Sequence, residues 1–227
     1  MPAPELPLEL MPKRRPAASV IWLHGLGADA GDLLPAAEQL MREASHPLHV
    51  VLPRAPIIAV TRYGRVRLRA WFDVVDDGFD RRARPADLDA AVAEVHRLVR
   101  REIERGLPGR RILLAGFSQG AAVALHAALR HAGELLGVAA LSGYLPLRDA
   151  LVAAAVARPV FLAHAADDVV VPLAVAESAR DWLVGRGHEV TWWPHASGHA
   201  VTEAEVSTLA AWVDTAIGVV GTGEPGR

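Results

Sequence analysis

Short apolar runs alternate with longer amphipathic runs along most of the chain. Several of the short runs are apolar at almost every position, which is typical of parallel β-strands covered on both faces. The predicted strands are Ala18–Leu23, Leu48–Leu52, Arg111–Ala115, Val138–Leu141, Pro159–Ala163 and Glu189–Trp193.

The longer runs between these strands have the spacing of helices. The clearest is Pro85–Arg105, in which apolar residues recur every three or four positions before Gly106 stops the pattern. The other predicted helices are Asp32–Ala44, Gln119–His131, Pro172–Val184 and Thr202–Ile217. This alternation, with right-handed crossovers, predicts a three-layer α/β fold in which helices cover both faces of a mostly parallel sheet. We expect one domain over residues 17–217, flanked by tails over residues 1–16 and 218–227.

The segment Ile57–Arg84 interrupts this alternation and carries a run of arginines, Arg62–Arg69. In an extended chain, Arg65, Arg67 and Arg69 would share one face. One interpretation is a charged edge strand, which discourages pairing with other chains. The other is a loop over the active site that favours anionic substrates.

Composition excludes several kinds of chemistry. The 227 residues include no cysteine, so disulfides, thiolate metal sites and cysteine nucleophiles are absent. The one lysine, Lys13, lies among prolines and arginines near the N-terminus, where neither a phosphate-loop lysine nor a Schiff-base lysine is expected. The balance of 24 basic against 26 acidic residues argues against a nucleic-acid partner.

Neither a signal segment nor a membrane helix is evident in the sequence. The first residues are rich in proline and place acids before the basic cluster, the reverse of a secretory signal. Apolar stretches such as Ala150–Ala157 end well short of the roughly 18 residues of a membrane span. We therefore expect a cytoplasmic protein without stable membrane insertion.

The sequence GFSQG, Gly116–Gly120, is the strongest motif. It follows the predicted strand and opens the predicted helix Gln119–His131. A serine between two glycines at such a junction is typical of a nucleophile elbow, in which side chains on the flanking residues would clash with the neighbouring strand or helix. The motif predicts Ser118 as a nucleophile.

A serine nucleophile needs a general base. In hydrolases with this elbow the base is a histidine that follows the last strand. The loop PHASGHAV after Glu189–Trp193 holds His195 and His199. We favour His199, which follows Gly198 directly before the last helix, and expect His195 to shape the loop.

The base in turn needs a carboxylate that orients its ring. Such an acid is expected after Pro159–Ala163, where HAADDVVVP contains Asp167 and Asp168. Spacing alone does not choose between them. The other aspartate is expected to cap the turn or the helix that begins near Pro172.

Hydrolases of this kind also need N–H donors that bind the developing oxyanion. The N–H of Gln119, directly after the nucleophile, is one predicted donor. The second is assigned to Leu26, because the Gly-rich loop His24–Gly27 follows the first strand and its backbone can approach the site closely.

Two other interpretations of these segments are weaker. VIWLHGLGADAG resembles a dinucleotide loop, and Arg54 could contact the 2′-phosphate of NADP, which would make the protein an NADP-dependent reductase. The spacing is not G-x-G-x-x-G, however, and no Tyr-x-x-x-Lys pair occurs. His195 and His199 with the two aspartates suggest a metal site. Two histidines in a glycine-containing loop do not share a helix face, however, and no third ligand is evident.

Seven motifs occur in the order found in one protein family: HGLGADAG, LPRAPIIAVT, AWFD, AGFSQG, LSGYLP, HAADDVVVP and ASGHAV. On these motifs the chain, from about Ala17 to Ile217, resembles the phospholipase/carboxylesterase family. That family includes the acyl-protein thioesterases and small bacterial carboxylesterases. The resemblance implies an α/β-hydrolase fold without a large cap domain.

The resemblance also implies a catalytic triad of Ser118, Asp168 and His199. The family's acid lies four residues after a histidine at the end of a strand. That histidine is here His164, which selects Asp168 over Asp167.

Leu26 and Gln119 match the family's oxyanion positions, and Leu68, Trp71 and Val170 are predicted to line the acyl pocket. The expected activity is hydrolysis of small carboxylic esters with short to medium acyl chains, or of thioesters or lysophospholipids, without a cofactor. A homodimer is a further expectation, because small members of the family often pair. The alternative is a hydrolase-fold binding protein without turnover.

Overall fold

The computed structural model describes residues 5–75, 78–79, 83–151 and 157–222. Nine strands lie in these residues: β1 (Leu8–Leu10), β2 (Ala18–Leu23), β3 (Leu48–Leu52), β4 (Ile57–Val60), β5 (Val66–Arg69), β6 (Ile112–Phe117), β7 (Gly137–Leu141), β8 (Pro159–Ala165) and β9 (Glu189–His195). The α-helices are α1 (Leu34–Glu43), α2 (Pro85–Glu104), α3 (Gln119–Arg130), α4 (Leu173–Val184) and α5 (Glu203–Thr222).

Seven strands form the central sheet in the order β1-β3-β2-β6-β7-β8-β9. All neighbouring strands pair in parallel except β1, which is antiparallel to β3. In a parallel sheet, the loops that follow the strands meet at one edge, where sites are usually built. The segments after β2, β6, β8 and β9, which hold the predicted catalytic residues, therefore lie at the same edge.

Helices cover both faces of the sheet, as the alternation predicts. α1 and α5 pack against each other on one face, over a core that includes Trp22, Leu40 and Leu209. α2, α3 and α4 lie on the other face, over a second core that includes Val95 and Leu114. The residues of β2, β3 and β7 are all buried, which explains their continuously apolar sequences.

The prediction of an N-terminal tail over residues 1–16 is wrong for Leu8–Leu10, which forms the edge strand β1. Its central residue, Glu9, lies 2.7 Å from a guanidinium nitrogen of Arg105 and 3.0 Å from Nε2 of His49. The sequence does not reveal β1, because its contacts join residues far apart in the chain and three residues are too few to show a strand period. At the other end, α5 continues to Thr222, beyond the predicted end at residue 217.

The arginine-rich segment does not join the central sheet. β4 and β5 form a separate antiparallel hairpin, in which Ile57 pairs with Arg69 and Val60 with Val66. Arg65 precedes β5 with φ 65°, so it does not continue the face of Arg67 and Arg69. The arginines therefore do not form an edge strand of the main sheet.

Candidate active site

Ser118 lies on a tight turn between β6 and α3. Its backbone has φ 53° and ψ −114°, a conformation that residues with side chains rarely adopt. The N–H of Ser118 donates to the carbonyl of Leu141, at the end of β7, over 2.9 Å. Strained residues of this kind persist only where their surroundings fix them, and they concentrate at functional sites.

The two glycines of the motif are required by close backbone contacts. A Cβ on Gly116 would lie 2.3 Å from the carbonyl of Gly120. A Cβ on Gly120 would lie 2.4 Å from the carbonyl oxygen of Leu23 in β2. Because the obstructing atoms are backbone, no rotamer change could relieve the clash. The predicted strand-turn-helix geometry around Ser118 is therefore present.

His199 lies between Ser118 and Asp168. Its Nε2 is 2.9 Å from Oγ of Ser118, and its Nδ1 is 2.7 Å from Oδ2 of Asp168. An ionised carboxylate can only accept, so Nδ1 carries a proton and Nε2 can accept the proton of the serine hydroxyl. The imidazole also packs 4.8 Å from the ring of Phe117. The structure thus brings together the three residues that the resemblance implies.

Asp168 is buried and remains ionised. Its Oδ1 accepts the N–H groups of Val170 and Val171, each over 2.8 Å. Burial raises the pKa of Asp168, but the hydrogen bonds from His199, Val171 and Val170 outweigh this effect and hold the pKa below its usual value. A carboxylate held in this way keeps the imidazole of His199 in a single orientation.

The neighbouring Asp167 has a different place. It is exposed, and its Oδ1 accepts the N–H of Gly198 over 2.9 Å, next to His199. The cap that is expected of the second aspartate, on the turn before Pro172, is instead made by Asp168. Asp167 therefore holds the loop of the histidine, whereas Asp168 contacts its ring.

The loop after β2 lies beside the nucleophile. A Cβ on Gly25 would be only 3.5 Å from Cβ of Ser118. His24 is buried, with its Nδ1 donating to the carbonyl of Gly25 over 2.8 Å and its Nε2 accepting the N–H of Ala55 over 3.1 Å. Burial lowers the pKa of His24, in agreement with the neutral ring that this pairing requires.

The two predicted oxyanion donors belong to the loop beside Ser118 and to the residue after it. Leu26 follows Gly25 directly in the loop beside the serine. Gln119 is the first residue of α3, where N–H groups have no acceptor within the helix and the helix dipole favours negative charge.

His195 does not contact Ser118. It lies at the end of β9 with 7% of its side chain exposed, stacks 4.9 Å from the ring of Trp193 and has its Nε2 3.7 Å from Oε1 of Glu205. Glu205 is fully buried in the first turn of α5 and shares a capping box with Thr202. Burial raises the pKa of Glu205 to about 7, although the N–H of Thr202 partly opposes this. Sequence reasoning missed Glu205, because its burial depends on the packing of α5.

We expect Glu205→Gln to flatten the pH dependence of stability. Between the ordinary carboxyl pKa of 4.5 and the folded value of about 7, the folded protein keeps a proton that the unfolded chain has lost. The free energy of unfolding therefore falls as the pH rises through this window, by about 2–3 kcal/mol from this one group. The glutamine variant keeps the capping box but cannot ionise, so it loses this decline.

Urea unfolding at about pH 5 and pH 8 would measure the effect. The free energy of unfolding of Glu205→Gln minus that of the wild type is expected to increase between about pH 5 and pH 8. Glu203→Gln, in the same turn but exposed, is the control and is expected to follow the wild type. Parallel curves for Glu205→Gln and the wild type would contradict the buried, protonated carboxyl.

An open cleft of about 240 Å³ lies at the same edge of the sheet. Its walls come from the segment after β7, from the first turns of α4 and from Phe79, whose ring meets that of Tyr144 edge-on at 5.3 Å. Ser178 in this cleft accepts a hydrogen bond of 2.6 Å from Arg148. The lining residues are Phe79, Leu145, Arg148, Ala174, Val175, Ser178 and Ala179.

The three residues predicted for the acyl pocket lie outside this cleft. Leu68 is half-buried on β5 and packs against the core. Trp71 is buried, and its indole N–H donates to the carbonyl of His24 over 2.8 Å. Val170 is about half exposed beside Asp168. The cleft residues come from three separate segments, so spacing along the chain does not group them.

The arginine on which the dinucleotide interpretation depends has acidic partners within the fold. Arg54, considered for a 2′-phosphate, lies 3.3 Å from Asp29 and 3.8 Å from Glu5. Within the described residues, no three His, Asp or Glu side chains are grouped to hold a metal ion. Every helix in this part of the chain is too short or too polar to cross a lipid bilayer.

Comparison with known proteins identifies the family. The Phospholipase/Carboxylesterase family model matches residues 10–217. The chain belongs to this family. Acyl-protein thioesterase 1 of Neurospora crassa is 31% identical over 217 residues, which cover 89% of this chain and 88% of that protein. Acyl-protein thioesterase 1 of Cryptococcus neoformans is 34% identical over 192 residues, covering 81% of this chain and 80% of the relative.

Solved structures of similar proteins agree with this assignment. Acyl-protein thioesterase 2 of Zea mays superposes with a TM-score of 0.80 at 27% identity, covering 93% of this chain and 98% of that one. Esterase PE8 superposes with a TM-score of 0.80 at 27% identity, covering 92% and 98%. The predicted α/β-hydrolase fold is confirmed, and the chain is a hydrolase of the phospholipase/carboxylesterase family.

Proposed function

We propose that this hydrolase cleaves carboxylic esters or thioesters through a triad of Ser118, His199 and Asp168. One observation carries the proposal. A single imidazole contacts both the hydroxyl of a strained elbow serine, at 2.9 Å, and a buried carboxylate, at 2.7 Å. Nucleophile, base and orienting acid are the groups that acyl transfer requires, and they are in hydrogen-bond reach without a substrate.

In the first half of the reaction, Oγ of Ser118 attacks the carbonyl carbon while Nε2 of His199 accepts the hydroxyl proton. Asp168 stabilises the imidazolium through Nδ1–H. The carbonyl oxygen becomes an oxyanion, which accepts hydrogen bonds from the N–H groups of Leu26 and Gln119. His199 then gives its proton to the leaving alcohol or thiol, and the acyl group remains on Ser118.

Water completes the cycle by the same route. His199 takes a proton from the water, the resulting hydroxide attacks the acyl-enzyme, and a second oxyanion forms in the same place. When this intermediate collapses, the proton on His199 returns to Oγ of Ser118 and the carboxylic acid leaves. Every proton in this cycle moves to or from Nε2 of His199, so the proposed mechanism requires no cofactor.

We propose that the acyl group of a small ester lies in the cleft lined by Leu145 and Val175. Apart from Phe79, the residues lining this cleft lie in the segments that follow β7 and β8, as Asp168 does, and five of the seven lining residues are apolar. Burying methylene groups there would favour short to medium acyl chains over acetate, by up to about 0.8 kcal/mol per methylene. The named activities of the relatives add thioesters as a second substrate class.

Labelling with a fluorophosphonate, followed by intact-mass analysis, tests the proposal. We expect one adduct per chain, located on Ser118 by peptide mapping, with loss of hydrolysis in proportion to labelling. Assays with p-nitrophenyl acetate, butyrate and octanoate are expected to show higher kcat/KM for butyrate than for acetate. Protein unfolded before labelling is the control and is expected to remain unmodified.

Two outcomes would contradict the proposal. Folded protein that forms no adduct and hydrolyses none of the esters would favour a hydrolase-fold binding protein without turnover. An adduct on another residue, accompanied by loss of activity, would place the nucleophile elsewhere.

A further inference from the structure

The turn over residues 25–29, which carries Leu26, is hydrogen-bonded to the hairpin of β4 and β5. The N–H of Gly27 donates to the carbonyl of Arg69, the last residue of β5, over 2.8 Å. The side chain of Arg69 reaches the same turn, because its Nε lies 2.6 Å from Oδ2 of Asp29. Arg69 therefore contacts the turn through both its backbone and its guanidinium.

Asp29 offers this guanidinium a fixed partner. Its Oδ1 accepts the N–H of Gly31 over 3.1 Å, and its own N–H donates to Asp32 over 2.7 Å, which together cap the helical turn that follows. Arg54 adds a second cation, 3.3 Å from Oδ1. These contacts hold the carboxylate of Asp29 in place. Its ion pair with Arg69 therefore restrains the turn relative to the hairpin.

The residues after Arg69 contact the other oxyanion donor. The N–H of Trp71 donates to Oε1 of Gln119 over 2.9 Å, and Nε2 of Gln119 donates to the carbonyl of Phe72, also over 2.9 Å. The indole N–H of Trp71 donates to the carbonyl of His24. All three hydrogen bonds are buried. The Arg69–Phe72 segment is thus bonded to both sides of the predicted oxyanion hole.

We propose that Arg69 and Trp71 are positioning residues, which fix the two oxyanion donors relative to each other. This inference rests on the function proposed above. It gives the arginine-rich segment a role that differs from both sequence interpretations, since Arg69 acts within the protein and not on a charged substrate. Its effect on the reaction passes through the N–H groups of Leu26 and Gln119.

The expected kinetic signature follows from what an oxyanion hole does. Its donors bind the oxygen most strongly when negative charge has developed, so a displaced donor lowers kcat and leaves KM nearly unchanged. Loss of one donor costs about 10²–10³ in kcat, and a displacement of about 1 Å can cost up to about 10². Loosening the turn displaces a donor without removing it, so we expect a smaller loss in kcat, of about 10-fold.

Arg69→Met tests the proposal, with Arg67→Met as a matched control. Arg67 lies two residues earlier on β5, is exposed and donates to the carbonyl of Ile57 in the same hairpin. Arg69 also binds Glu5 at the surface, and Glu5→Gln separates that contact from the one to Asp29. The substrate is the neutral p-nitrophenyl butyrate, and a trifluoromethyl ketone serves as an analogue of the tetrahedral intermediate.

For Arg69→Met we expect kcat to fall about 10-fold, KM to stay within about two-fold and the analogue to bind about 10-fold more weakly. Trp71→Phe is expected to change the same constants in the same direction. Arg67→Met and Glu5→Gln are expected to match the wild type within about two-fold.

Three results would overturn the proposal: a wild-type kcat for folded Arg69→Met, a rise in KM alone, or an equal loss in Arg67→Met. Fluorophosphonate labelling of the wild type separates this failure from that of the proposed function. If Ser118 is labelled and Arg69→Met has normal kinetics, only the positioning role is wrong. If Ser118 is not labelled, the proposed function is wrong as well.

Discussion

Ser118→Ala is expected to lower kcat for ester hydrolysis about 10⁴–10⁶-fold, because it removes the proposed nucleophile. The variant keeps His199, Asp168 and the proposed oxyanion donors but has no atom that can form the acyl-enzyme. Alanine retains a Cβ at φ 53°, and the Ser118 side chain does not cap α3, so neither backbone strain nor capping changes. The melting temperature is therefore expected to stay close to that of the wild type.

Ser142→Ala is the matched control. Ser142 follows β7 as Ser118 follows β6, is fully buried and has a similarly strained φ of 48°. Steady-state assays with p-nitrophenyl butyrate, beside thermal unfolding monitored by circular dichroism, would compare the two variants. We expect Ser142→Ala to hydrolyse the ester at a rate within about three-fold of the wild type. Near-normal turnover by folded Ser118→Ala would rule out the proposed mechanism.

The central sheet could be predicted because its signals are local. β2 and β3 begin and end at the predicted residues, since buried parallel strands are apolar throughout and are bounded by polar or turn residues. The hairpin of β4 and β5 has no such signal: it has exposed and half-buried residues on both strands and turns through Arg65 at positive φ. Its position depends on distant contacts, such as Arg69 with Asp29.

The candidate site shows the same contrast between local sequence signals and tertiary contacts. The Gly116–Gly120 motif is recognisable because backbone crowding at the elbow demands glycine at two fixed places. The acid is not recognisable in this way, since Asp167 and Asp168 are adjacent and chemically identical. Only the packed fold shows that one is buried against an imidazole and the other accepts a loop N–H.

The contacts beside the proposed oxyanion donors are even less visible in sequence. Trp71 and Gln119 are 48 positions apart, and each presents an ordinary polar group to the other. A tryptophan beside a predicted active site also fits a substrate pocket, the role that the family resemblance predicts for Trp71. The hydrogen bond from its indole N–H to the carbonyl of His24 is visible only in the tertiary structure.

Asp168→Asn is expected to lower kcat about 10³–10⁴-fold without unfolding the protein. The amide oxygen of asparagine can still accept from Val170 and Val171, so the turn keeps its cap. Its NH₂ group would then face Nδ1 of His199 and favour the tautomer in which Nδ1 is unprotonated and accepts a hydrogen bond. Nε2 would carry the proton and point it at Ser118, so the ring could no longer accept the hydroxyl proton.

Asp167→Asn makes the matching change one residue away, with a much smaller expected effect. The amide oxygen can still accept the N–H of Gly198, because that contact needs an acceptor and not a charge. We expect kcat within about three-fold of the wild type, measured with p-nitrophenyl butyrate for both variants. The opposite order of effects would mean that the wrong aspartate has been assigned as the acid. Equal, small effects would mean that His199 does not need a carboxylate, which contradicts a triad in which a buried anion sets the tautomer of the base.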